Sequence, residues 1–464
     1  MTVTAEKIEN KAGYKKTELG WIPRDWDIKK IQDIAKINEK SLPENTNKEY
    51  EFTYLDLSSI KQGVIDFPVE KIKFKYAPSR ARRILKRKDV IMATVRPYLQ
   101  GFALADFEVQ DVICSTGFAL ITPAKSNDST FIYQTLYSNF ILNQIDKLLV
   151  GSNYPAINSS DVENLKIIYP QSSSERQKIA KTLFCWDKAI EKTEELIIAK
   201  TQLKKALMQQ LLMGKIRFGE FAGQKWIKVS LKDKFERITR KNTENNANIL
   251  TISAQQGLIS QEEFYKKRIA SKDTSNYILI KNGEFAYNKS YSTGYPMGAI
   301  KRLDKYDSGV VSSLYICFAS KSDDICSSFF AHYFEAGLLN QEIQNIAQEG
   351  ARNHGLLNIG ITEFFATLLR IPPSIEEQQK IATVLNACDE EIKLLNKQFD
   401  SLKEQKKGLM QKLLTGQIRV KVDSVRKFEG NKQENHKSFT CRTQNERNST
   451  PLCECIDNNC PSEG

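Results

Sequence analysis

Apolar positions recur along this chain with two different periods, and the changes of period outline its elements. Over residues 172–218 and again over 374–420, apolar side chains return alternately after four and three residues. The first seam runs Ile179, Leu183, Trp186, Ile190, Ile197, Leu207 and Leu211, and is broken by Thr193, Lys200 and Lys204. The second runs Ile381, Leu385, Cys388, Ile392, Leu395, Phe399, Leu402, Leu409 and Leu413, with Lys406 as its interruption. A sustained period of about 3.5 residues predicts two long helices packed along one another as a coiled coil. Helices of this length rarely stand without a partner helix. Elsewhere the apolar runs are short and bounded by turn residues, which predicts strands.

The helix ends are written in the sequence. Ser172 and Ser374 each have a glutamate three residues on, Glu175 and Glu377, at the spacing of a capping box. Proline stands just before each start (Pro170; Pro372 and Pro373), and Gly214 and Gly416 sit where a left-handed residue would end each helix. About 39 residues lie between these marks, so each helix should run roughly 58 Å.

The two helices are copies. Shifted by 202 residues, Glu175–Arg217 overlies Glu377–Arg419 with 18 of 43 positions identical and a shared LMQxLLxGxIR ending. The flanking segments repeat in the order of their elements rather than in letters. Trp26 to Pro170 and Trp226 to Pro372 each open on a tryptophan and an Ile/Leu-rich stretch, then show a strand with a Gln-Gly turn (Gln62–Gly63; Gln256–Gly257). Apolar strands follow, then one amphipathic helix (near 130–148 and 327–347) and a last strand leading into the long helix. We therefore expect an α/β (α+β) protein: two β-rich domains separated by an antiparallel pair of long coiled-coil helices, with a pseudo-two-fold internal repeat. The expected boundaries are an extension over 1–20, domain one over 21–171, helix one over 172–218, domain two over 219–373, helix two over 374–420, and a disordered Cys-containing tail over 421–464.

Composition changes this picture in one respect. The formal net charge is +12, and residues 421–464 carry seven Lys and Arg against seven Asp and Glu, so the surplus belongs to the folded part. Nucleic acid is the commonest partner of such a surface. No apolar run approaches the roughly 20 residues of a membrane span, and the first 14 residues lack a signal-peptide core; a cytoplasmic location without membrane contact is expected. Five of the nine cysteines (Cys114, Cys185, Cys317, Cys326, Cys388) stand singly in apolar surroundings and read as small core residues. The other four, with His436, lie in the polar tail at a spacing that fits no usual zinc site. With three histidines in all, a His-centred triad or multi-His metal site has little material, and no catalytic or metal residue is assigned.

The densest basic stretch, Lys71–Lys88, holds nine Lys and Arg and no acid. Its Lys73, Lys75, Arg80, Arg82, Arg83 and Arg87 are candidate phosphate contacts. Arg96 and Tyr98, just past a strand, offer a bidentate guanidinium and a stacking ring. Asn288, Lys289 and Tyr291 stand at the corresponding place in the second half, with Lys266, Lys267 and Arg268 as a shorter basic cluster. Asn153, Tyr154, Arg352 and Asn353 (beside His354) lie in loops before the last strands, where function concentrates.

GYKKTELGWIPRDWDI (Gly13–Ile28), KRKDVIMATVRPYLQG (Lys86–Gly101), ICSTGFALITP (Ile113–Pro123), GSNYPAINSSDVENLKI (Gly151–Ile167) and the endings LLMGKIRF and LLTGQIRV resemble the specificity (S) subunit of type I restriction–modification systems, from about residue 13 to 420. The resemblance implies double-stranded DNA as partner, each domain reading one half of a split sequence across a gap set by the helices. It also implies two methyltransferase (M) subunits, which would use S-adenosylmethionine, restriction (R) subunits in the full complex, and no cofactor or chemistry in this chain. The second half departs where NHGLLNIGITEF (Asn353–Phe364) replaces NYPAINSSDVEN (Asn153–Asn164). Rival readings are a self-contained methyltransferase or restriction enzyme, and a coiled-coil scaffold with no DNA role. Against the first, there is no Gly-x-Gly, no Asn/Asp-Pro-Pro-Tyr/Phe tetrapeptide, no phosphate-binding Gly-x-x-x-x-Gly-Lys-Ser/Thr and no Pro-Asp pair.

Overall fold

The structure, a computed structural model, describes residues 12–151, 153–265, 273–347 and 357–421. Lys266, Lys267, Arg268, Arg352, Asn353, His354 and the tail after residue 421 lie outside the described residues. The chain folds as two β-rich heads and two long helices, Ser173–Leu211 and Ile375–Leu414. Ser172 and Ser374 are the N-caps, their hydroxyls accepting from the amides of Glu175 and Glu377 at 3.3 Å. The reciprocal half of the expected capping box is missing, because both glutamate side chains turn inward and are buried.

The helices run antiparallel. Lys200 meets Glu391 at 2.7 Å, Lys204 meets Asp389, and Lys406 meets Asp187, so positions ascend on one helix as they descend on the other. The lysines that interrupt the apolar seams thus make the bridges between the helices. Thr193, the other break, is buried and returns its hydroxyl to the Ala189 carbonyl at 2.8 Å. Trp186, Ile190, Ile392 and Leu395, in the middle of the rod, are half-buried. Ile179, Leu183, Ile381 and Leu385, near the helix starts, are fully buried and belong to the cores of the heads. The seam is therefore a helix–helix contact along its middle and a head–rod contact at each end.

The heads repeat one plan. In head one a four-stranded antiparallel sheet has the order Phe102–Leu104, Val90–Ala93, Phe118–Pro123, Ala35–Ile37. In head two the order Ala299–Arg302, Phe285–Asn288, Ile316–Ser320, Phe235–Ile238 reproduces it. The strand entering each head pairs with the strand leaving it, Trp26–Lys30 with Lys166–Pro170 and Ile227–Ser230 with Leu368–Ile371. Both connections to the rod are thereby brought to one end of each head. The single amphipathic helix expected in each head is two helices, Ser129–Leu136 with Asn139–Leu148 and Ser327–Glu335 with Asn340–Ile346. Extended backbone at Ser138 and a left-handed Gly337 break them.

Each head core includes the start of its own helix and the end of the other. Ile179, Ala180 and Leu183 join Met410, Leu413 and Leu414 in head one; Ile381, Ala382 and Leu385 join Met208, Leu211 and Leu212 in head two. Of the five cysteines expected in cores, Cys114 and Cys317 are buried and Cys326 and Cys388 partly so, whereas Cys185 is exposed on the outer face of the rod. No helix among the described residues is long and apolar enough to cross a membrane.

Candidate nucleic-acid interface

What holds the heads in place is a pair of matching latches. Glu175, buried at the start of the first helix, accepts from Trp26 Nε1 at 3.1 Å and from Arg419 Nε and Nη2 at 2.5 and 2.9 Å. Glu377 accepts from Trp226 Nε1 at 3.4 Å and from Arg217 Nε and Nη2 at 2.8 and 2.6 Å. Each latch ties a head's first strand, the start of one helix and the turn after the end of the other. Bonds from Arg419 to Asp25 and Glu175 raise its pKa, and the same Arg419 bonds hold the Asp25 carboxyl below its ordinary value. Gly416, at φ +70°, packs where a Cβ would lie 2.5 Å from Pro23, and Tyr14 in the hairpin Tyr14–Thr17/Gly20–Pro23 donates to its carbonyl at 2.6 Å.

Nearest the rod's middle, the heads dock through equivalent polar clusters. In head one Gln134 Nε2 donates to Asp187, itself bridged by Lys406. In head two His332 takes the place of Gln134, with Nε2 2.8 Å from Asn386 Oδ1 and Nδ1 3.9 Å from Asp389, which Lys204 bridges. Burial lowers the His332 pKa against the opposing effect of the Asn386 bond. A second buried pair, Arg176 Nε to Asp128 Oδ1 at 2.9 Å, anchors the first helix to head one, and Arg176 Nη1 also donates to the Pro170 carbonyl at 2.7 Å.

Three segments of head one converge at an exposed loop cluster. Gln62, at φ 45°, and Gly63, at φ 93°, form the turn of the hairpin Ile60–Lys61/Val64–Ile65. Residues 94–101 turn between two strands of the main sheet, and residues 153–156 meet them through the bridge Val95 to Ala156, while Val150 also pairs with Ala156. Arg96 lies in this cluster 4.3 Å from the centre of the Tyr154 ring and donates to the Asn153 carbonyl at 3.1 Å. Tyr98, Leu99 and Tyr154 are exposed around it. Leu57, Ile60, Lys61 and Leu99 line the same hollow; for the first three only the Gln-Gly turn signalled their part of the chain.

Several side chains of the basic stretch meet carboxylates from elsewhere in the chain. Lys73 and Lys75 both reach Glu49, at 3.0 and 2.7 Å, and Arg87 reaches Glu108 at 2.5 Å. Lys86 pairs with Glu39 at 2.5 Å, and Lys88 with Asp106. The Lys75 and Lys73 bonds lower the Glu49 pKa. Arg82 packs 5.0 Å from the Phe74 ring centre and Arg83 bonds Ser41 at 3.1 Å, while burial lowers the pKa of Arg83. Arg80 is exposed. These acids lie outside the stretch in sequence, so composition in a window could not reveal them.

In head two, Asn288 caps its own turn, its Oδ1 accepting from the Ser290 amide at 3.0 Å. The Lys289 carbonyl accepts from Leu357 at 3.0 Å, as the Thr94 carbonyl accepts from Ile157 at 2.9 Å. By this register Tyr291, exposed, and not Lys289, stands in the place of Arg96. The turn Asn288 to Ala299 is longer than its counterpart, so the two loop clusters present different chemistry on one frame.

Two dissimilar loop-bearing heads thus stand on one latched antiparallel rod. Residues 23–200 match the profile of the type I restriction modification DNA specificity domain. Among its relatives, the type I restriction enzyme MjaVIII specificity subunit of Methanocaldococcus jannaschii is 28% identical over 217 residues, 44% of this chain and 49% of that one. The match thus spans about half the length of that relative. The putative type I restriction enzyme MjaX specificity subunit of the same organism is 23% identical over 441 residues, covering 88% and 97% of the two chains. The S subunit of a type I restriction–modification system from M. genitalium superposes with a TM-score of 0.52 at 15% identity, over 84% of this chain and 96% of that one, and shares the fold.

Proposed function

We propose that this chain is the DNA sequence-specificity subunit of a type I restriction–modification complex. Each head reads one half of a split double-stranded site, and the rod sets the number of base pairs left unread between them. The observation carrying this reading is that two heads of one plan but different loop chemistry are held at opposite ends of an antiparallel rod by equivalent Trp–Glu–Arg latches. A rod of roughly 58 Å spans more than one turn of B-DNA, about 34 Å. Relatives named as specificity subunits of restriction enzymes support a chain that directs partners and does no chemistry itself. On this reading two methyltransferase subunits, which bring S-adenosylmethionine, dock on the helical regions, restriction subunits join them, and the complex works in the cytoplasm.

The test is a footprint of the chain with its methyltransferase partner on DNA recovered from a random pool. Two short protected motifs at a fixed separation are expected; one contiguous motif rejects the reading. Incubating the chain alone with DNA and labelled S-adenosylmethionine should give no methyl transfer.

A further inference from the structure

Arg96 occupies a position that the fold of head one makes costly. Its backbone sits at φ 50°, ψ 48°, the left-handed region that side-chain-bearing residues seldom adopt. Its amide donates to the Pro155 carbonyl at 2.7 Å, so relaxing the backbone here would break a bond to residues 153–156. Its guanidinium is held between the Tyr154 ring, 4.3 Å away, and the Asn153 carbonyl, and its buried Nε has no partner among the described residues. Strained backbone and an unsatisfied buried donor in one residue point from structure to function. Beside the guanidinium opens a hollow of about 360 Å³ with an apolar lining that includes Leu57, Ile60, Val95 and Leu99.

We propose that Arg96, positioned by Tyr154 and Asn153, is the residue with which head one reads a guanine in the major groove. The assignment rests on the two-headed DNA-reading function and deepens it. A phosphate needs only a nearby positive charge, which flexible lysines supply, whereas guanine O6 and N7 need a planar fork held in one plane. Stacking on Tyr154 and the bond to Asn153 restrict the guanidinium in this way. Among the described residues Arg96 has no carboxylate partner, unlike Lys73, Lys75 and Arg87 in the basic stretch. The exposed Tyr98, Leu99 and Tyr154 surround it with apolar surface that excludes water from the contact. Tyr291 stands at the equivalent point of head two and cannot make this pair of bonds, so the assignment is for head one alone.

The test is selection of duplexes from a random pool by the full chain with its methyltransferase partner, using wild type, Arg96→Lys, Arg96→Gln and Tyr154→Phe. Wild type should yield a split motif with a strongly preferred guanine in one half. Arg96→Lys and Arg96→Gln should lose that preference, roughly 5- to 150-fold, with the other half unchanged; Tyr154→Phe, which keeps the ring, should retain it. Replacing the guanine by 7-deazaguanine should weaken wild-type binding, a measurement that does not depend on any variant folding; undiminished binding would overturn the assignment. Uniform weakening across all sequences would make Arg96 a phosphate contact and overturn the assignment, as would an unaltered motif in Arg96→Gln. A split wild-type motif with no effect of Arg96 sinks the assignment alone. The absence of any split motif sinks the two-headed reading and the assignment with it.

Discussion

Each long helix begins with a buried carboxylate that joins three distant parts of the chain, and its energetics follow from what surrounds it. Changing Glu175 to Gln keeps an acceptor for Trp26 but removes the charge facing Arg419. Because Arg419 is 41% exposed, the loss should fall short of a fully buried pair, about 1–3 kcal/mol in urea unfolding. Arg176 and Asp128 are 1% and 4% exposed, so Arg176→Met strands a buried carboxylate and should cost about 3–5 kcal/mol in the same measurement. His332 gives a pH dependence. Burial holds its folded pKa below the ordinary value of 6.5, so the unfolded chain binds the proton first and stability falls as pH drops below about 6.5 toward the folded pKa. His332→Gln, which copies Gln134 of head one, should flatten the melting temperature measured across that window.

At the scale of elements, the helices, their starts and their stops were legible because caps and periodicity are local signals. Their lateral partners were not. A lysine in an apolar seam reads as an interruption, yet Lys204 and Lys406 serve as cross-helix bridges because the repeat sets Asp389 and Asp187 opposite them. Glu175 and Glu377 read as reciprocal caps, yet tryptophan and arginine from outside the helix compete successfully for them. The serine halves of the caps remain, and Ser172→Ala or Ser374→Ala should each lower unfolding free energy by about 0.5–2 kcal/mol. The acids that meet Lys71–Lys88 escaped for the same reason, since Glu39, Glu49, Asp106 and Glu108 arrive by tertiary folding.

For the whole molecule, the duplication made the two-fold plan legible, and the loop contacts escaped because they depend on how residues 57–61, 94–101 and 153–156 converge. Salt dependence of DNA binding tests how much of the basic surface is available. Lys73→Ala or Lys75→Ala, whose charges already serve Glu49, should leave the slope of log affinity against log salt nearly unchanged. Each true phosphate contact removed should reduce it by about 0.9; Arg80→Ala, on an exposed and differently placed side chain, is expected to do so. Adding one heptad to both helices should widen the tolerated gap between motifs while leaving both motifs intact, as read by the same pool selection.

The lysine bridges also determine how the reach of the molecule can change. Sliding one helix past the other by a single turn would take Lys204 from Asp389 and Lys406 from Asp187 together, and would pull both arginines from their glutamates at the ends. No intermediate setting satisfies these four charges, so the distance between the heads behaves as a ruler with one graduation. It lengthens in whole repeats inserted in both strands of the rod, and it resists continuous adjustment.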